Sequence, residues 1–224
     1  MRFSRTGGVA AIGFATAIVL ANVLMVPAGL PHTGADPAEA AAFFGSHGGI
    51  VGLGSALTPA AWVLATVFGA AAVGALRPSE RDRGEAWSLV GFAGLLLQNT
   101  TFAAVAAVRL ALTQEAMAAP VLWALHDTLF TLNGTFLALA LLGLSAGGLR
   151  AGLLRPWHGG LGLLSALLLF ASATLAPLVV EHGGPLGLLG LTGWLMWVVW
   201  VVGYGIVLLR LPTAARSRAA AGPA

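Results

Sequence analysis

The chain has 224 residues, 58% of them hydrophobic and only 8% charged, with a mean hydropathy of +0.91. A soluble domain carries roughly a quarter of its residues charged, so a water-soluble globule is excluded. The net charge of +3 and the pI near 11.0 come from arginines with no lysine, in a chain too apolar to offer a nucleic-acid-binding face.

A hydrocarbon core of ~30 Å takes about 20 residues of helix. The apolar runs predict six spans, at residues 8–30, 48–76, 87–110, 120–144, 160–180 and 186–209. That is an all-α polytopic bundle, one membrane domain over 1–224 with no room for a soluble one. Arg2 and Arg5 precede the first span, Arg77, Arg81 and Arg83 follow the second, Arg150 and Arg155 the fourth, and Arg210, Arg216 and Arg218 the sixth. Ten of the eleven arginines thus share one side, and the positive-inside rule makes that side cytoplasmic, with both termini inside. The first run resembles a secretory signal in its basic start. It stays free of charge from Thr6 past Leu30, well beyond the ~7–15 residues of a signal core, and predicts a retained helix. Exclusive use of arginine with abundant Ala, Gly and Leu points to a GC-rich bacterial genome, hence to a bacterial cytoplasmic membrane.

The outer loop after the first span carries His32, Asp36 and Glu39, and Asp36-Pro37 predicts the capped start of a short interfacial helix over 37–44. The second span opens on Gly45, Gly48 and Gly52, a spacing of small residues that predicts close helix packing. Pro59 and Pro177 predict bends, and Pro120 a helix start. The inner connection from Arg77 to Glu85 reads as a solvated turn of mixed charge.

Polar groups inside lipid are expensive and mark function or fixed pairs. The third span carries Gln98, Asn99, Thr100 and Thr101, with Arg109 toward its outer end. Eleven residues at about 100° each return nearly to the starting direction, so Gln98 and Arg109 share a face that points into the bundle. His126 and Asp127 sit just inside the fourth span. Asp127 is the only acid within a span, Arg109 the lone outer arginine, and the two helices are joined by a short loop, so an Arg109–Asp127 ion pair is expected. Gln98, Asn99, Arg109, His126 and Asp127 together form the candidate polar pocket. His126 projects about 100° away from Asp127; in a working pocket it is expected to meet His47 or Gln98, and in a structural cluster to pack among apolar side chains with one backbone or hydroxyl partner.

Outer imidazoles at His47, His126 and His182 are the weak candidates for a metal site, since no two share metal-binding spacing. His158, alone on the inner side, argues against a transmembrane haem pair, and no cofactor is expected. Trp194, Trp197, Trp200 and Tyr204 form a stripe read as lipid-facing or packing surface, while Trp87, Trp123 and Trp157 read as interfacial anchors. His47-Gly48-Gly49 and its following residues recur at His158-Gly159-Gly160. The match fits two inverted three-helix halves, though composition alone also generates such matches.

The segment Leu125-His126-Asp127-Thr128-Leu129-Phe130, the run Leu142 to Ser145, and Gly152-Leu153-Leu154-Arg155-Pro156-Trp157 before Gly160-Leu161-Gly162 resemble six-helix membrane proteins of actinobacterial type. Those join their fourth and fifth spans by a similar turn with proline before arginine. The resemblance implies the six-helix fold and, as that family has no known activity, no catalytic residues. The residues themselves carry no phosphate loop, nucleophile elbow or zinc-protease motif. The expectation is therefore a non-enzymatic membrane protein that interacts with other membrane components, a partner protein or a second copy of itself. The alternative is a small transporter, or a metal-dependent membrane enzyme, using an outer-facing polar pocket.

Overall fold

The computed structural model describes residues 3–182 and 186–211, apart from the side chains of Ala116 and residues 180–182; Arg2, Arg216 and Arg218 fall outside it. Its helices are α1 (Phe3–Met25), α2 (Pro37–Ser46), α3 (Gly48–Ala56), α4 (Thr58–Arg83), α5 (Trp87–Leu112), α6 (Ala119–Arg150), α7 (Pro156–Thr174), α8 (Ala176–His182) and α9 (Gly187–Arg210). No strand occurs among the described residues. Among the described residues six stretches are long and apolar enough to cross a membrane: α1, α3–α4 together, α5, α6, α7 and α9. Val9, Val63, Leu132, Leu167 and Val199 are among the large apolar side chains on the outside. In water that surface would be untenable; in a lipid bilayer it is solvated.

The spanning helices form a closed ring in chain order. Each packs on its neighbours in sequence, and α9 closes back onto α1. All adjacent helices are therefore antiparallel. Helices on opposite sides of the ring scarcely touch, so the interior must be filled by side chains or left open. It is filled at the arginine-rich end, where Phe68, Leu76, Leu141, Leu144, Trp200, Tyr204 and Leu208 are fully buried. Phe68 meets Trp200 and Tyr204 edge-on, with centroids 6.4 and 5.5 Å away. Trp197, Trp200 and Tyr204 are thus core, while Trp194 is only partly covered.

Several boundaries follow from local chemistry. Asp36 caps α2 by accepting the Ala38 N–H at 2.7 Å, with Pro37 in the first turn. Pro59 and Pro177 lack an N–H, and the second and fifth spans break just before each, separating α3 from α4 and α7 from α8. Gly84 takes a left-handed φ of 65°, letting Glu85 N–H reach back to the Glu80 carbonyl at 2.9 Å and end α4.

Three expectations need correction. The connection expected over Arg77 to Glu85 as a solvated turn is mostly helix, because α4 runs on to Arg83. Glu80 in it is buried and accepts the Ser88 N–H at 2.6 Å and the Ser88 hydroxyl at 2.5 Å, capping α5 from the preceding helix. Gly45, Gly49 and Gly52 have nothing within 4 Å of where a Cβ would stand, and Gly48 meets only the Thr113 Cβ at 3.9 Å. Close approach falls instead on α5 and α6, where a Cβ on Gly143 would overlap the Gly91 backbone and one on Gly91 would lie 2.7 Å from the Leu144 nitrogen. Trp123 is no interfacial anchor, since it is 2% exposed and donates its indole N–H to the Ala35 carbonyl at 3.0 Å. Trp157, 63% exposed, does sit at the surface.

Candidate functional site: a cavity at the arginine-poor end

The half of the ring away from the arginines is hollow. A cavity of about 580 Å³ is lined by α1, α3, α5, α6, α7 and α9, by Thr58 of α4 and Val179 of α8, and by the connection after α1, which contributes Leu30, Pro31, His32 and Thr33. Phe14, Leu137 and Trp197 close its floor toward the buried aromatic core. Most of the lining is apolar, and its polar groups include Asn22, Gln98, Arg109, His126, Thr131, Asn133 and Ser172.

Arg109 and His126 form its centrepiece. Arg109, 8% exposed, donates its Nε–H to His126 Nε2 at 2.9 Å. A guanidinium only donates, so Nε2 must accept and the proton of the neutral imidazole sits on Nδ1. Nδ1 lies 3.1 Å from Asp127 Oδ1 and donates to it. The other carboxylate oxygen, Oδ2, accepts the Gly34 N–H at 2.7 Å. The expected direct Arg109–Asp127 pair is therefore a bridged one. His126 stands between the two charges because its ring reaches back to its own chain neighbour and does not point away around the helix. The ring is held flat between Trp123 and Phe130, stacked at 4.7 and 5.9 Å.

The side chain that His126 meets from another span is Arg109, neither His47 nor Gln98, and its ring is also packed between aromatic side chains as the structural alternative has it. His47 stacks on Phe43 at 4.8 Å, with Nδ1 near the Ser46 hydroxyl and the Phe43 carbonyl. The His182 side chain lies outside the described residues. His47 and His126, two of the three metal candidates, have separate partners: both ring nitrogens of His126 are engaged, and no group of three His, Cys, Asp or Glu side chains suited to a metal ion occurs among the described residues.

Gln98 lines the cavity as its shared face with Arg109 requires, and its side-chain oxygen has no hydrogen-bond partner. Asn99, one residue on, is turned about 100° away. Its amide points at α4, 3.3 Å from the Trp62 carbonyl and 3.5 Å from the Thr66 hydroxyl, so it is no part of the pocket. Asp127 is buried beside the cavity without lining it. Asn133 was missed. Seven residues from His126 is about two turns, so it shares that face, and its oxygen is also unpartnered. Its polarity within a span was signal enough to single it out.

The two His-Gly-Gly segments sit in unlike surroundings. His158 is buried and hydrogen-bonds the Trp200 carbonyl at 2.9 Å, whereas His47 is half-buried at the rim of α2.

Chemically, the arrangement suits binding better than turnover. An imidazole acting as general base needs a free nitrogen toward the substrate, and here Arg109 occupies the one nitrogen that Asp127 leaves. What the cavity offers a guest is a cationic group and amides set in an apolar wall. Comparison with protein-family models, curated proteins and solved structures gives no match.

Proposed function

We propose that the chain is a non-enzymatic membrane protein of transporter type that takes a small ligand into this cavity. Its setting would be the bacterial cytoplasmic membrane, arginine end inside, with the cavity opening outward. The observation that carries the reading is the cavity itself: about 580 Å³ with Gln98, Arg109 and His126 in its wall and an aromatic floor beneath. Small-molecule sites run from about 300 to 1,000 Å³ and combine apolar lining with a few fixed polar groups. A dry, fully paired polar cluster would speak for a purely structural role; the Arg109 terminal nitrogens, without a hydrogen-bond partner among the described residues and not occluded, speak against it.

Docking to another membrane component is the second reading. It is favoured by the uncovered face of α2 and α3, where Gly45, Gly49 and Gly52 meet no neighbour and Leu53 is exposed.

Because the chain has no cysteine, single replacements give unique thiols. In intact cells, Ser172→Cys in the cavity wall should react with a membrane-impermeant thiosulfonate, and Ser79→Cys at the arginine end should react only after permeabilisation. An unreactive Ser172→Cys would remove the open cavity, and Ser79→Cys reacting in intact cells would reverse the orientation.

A further inference from the structure

We infer that the cavity takes a single-chain amphiphile with an anionic head, the head on Arg109 and the chain running toward Gln98 and the aromatic floor. This rests on the cavity being a ligand site. Three observations carry it. First, among the described residues no Asp or Glu lines the cavity, and the one fully charged wall residue is Arg109. Asp127 balances that charge only from behind the imidazole, with both its oxygens engaged there by His126 and Gly34.

Second, among the described residues Arg109 hydrogen-bonds only through Nε. Its terminal nitrogens have no hydrogen-bond partner among the described residues and are not among the occluded unpartnered atoms. The guanidinium carbon lies 6.0 and 5.8 Å from the Phe102 and Phe130 ring centroids, which fix the group without using its N–H donors. A planar pair of free donors in an apolar wall matches a carboxylate or phosphate, which accepts two hydrogen bonds at once.

Third, the cavity is elongated and otherwise greasy. Gln98 lies eleven residues, or about 16 Å of helix rise, deeper than Arg109. The wall between and opposite is largely Ile18, Phe102, Phe130, Leu137, Leu191 and Trp194. A fully polar anion would leave that length unfilled, and a neutral apolar guest would leave the guanidinium without a partner. An acyl chain with an acidic end satisfies both.

Trp194 and Trp197 line the cavity and make it self-reporting. The full-length protein in a nonionic maltoside detergent is titrated with ω-bromododecanoate and with ω-bromododecanol, reading bromine quenching of tryptophan fluorescence. The acid should quench saturably and bind about tenfold more tightly than the alcohol, the scale of one charge-assisted hydrogen bond. Arg109→Gln should abolish that preference, and joint replacement Trp194→Phe and Trp197→Phe should remove the saturable component. Dodecanoate and dodecyl phosphate as competitors tell a fatty-acid head from a phosphate head. Equal affinity of acid and alcohol in the unaltered protein, which needs no variant to fold, overturns the anionic head. Saturable quenching that survives loss of both tryptophans, or none with either probe, overturns the amphiphile. Failure of the ligand site altogether is read separately, from an unreactive Ser172→Cys.

Discussion

At the scale of single residues, the polar cluster works because each member satisfies another. Arg109 donates to His126, His126 to Asp127, and the Gly34 backbone to Asp127 from the opposite side. Removing one end of such a buried arrangement strands the rest, at a cost of about 3–5 kcal/mol. Asp127→Asn and Arg109→Gln should each approach that loss in the denaturation free energy of the purified protein, and the double change should cost less than their sum. In a His126→Ala background the coupling should fall below about 0.5 kcal/mol, because the bridge is gone. Coupling that persists there would mean the two charges interact directly. The sequence made Gln98 and Arg109 legible as one helical face. It hid the third link, because the group that completes Asp127 is a backbone N–H brought in by a loop, which leaves no trace in a side-chain pattern.

At the scale of elements, existence was easier to read than limits. Apolar length marked the spans, but α4 and α6 run on to Arg83 and Arg150 because their ends are set by tertiary contacts and turn chemistry. Glu85 ties those two ends together, bonded to Arg83 Nε at 3.0 Å and to Arg150 Nη1, while Arg150 lies over Trp87 with 5.8 Å to its centroid. Partial desolvation raises the Glu85 pKa, but the Arg83 and Arg150 hydrogen bonds outweigh it and leave the carboxyl below its ordinary value of 4.5. A carboxyl depressed in the folded state adds stability above its unfolded pKa and loses it as pH falls through the folded one. Glu85→Gln should therefore lower the melting temperature slightly at pH near 7, with the difference closing as pH drops below 4.5. Strong salt should shrink it too, since the pair is open to solvent. A difference that grows on acidification would assign Glu85 some other role.

At the scale of the whole molecule, the order of helices around the ring and the hollow at one end were not legible, because both depend on which small residues meet. Glycine-rich spacing at Gly45 to Gly52 looked like the contact face, yet the tight seam runs through Gly91 and Gly143. A side chain at Gly143 would have to push the α5 backbone away, so Gly143→Ala should sharply lower thermal stability in detergent. Gly49→Ala, with open space around it and a better helix former in place, should leave it unchanged or raise it by up to about 1 kcal/mol. The reverse ranking would refute the packing described. The ring also dictates a sequence of assembly. Five of its six seams join helices adjacent in the chain, so hairpins can pair as soon as they leave the insertion machinery. The α1–α9 seam is the exception. It brings Gly8 against Gly205 across nearly the full length of the chain, so α1 must wait in the bilayer, its small-residue face uncovered, until synthesis has reached the last span. A ribosome stalled before α9 would leave an open horseshoe in place of a cup.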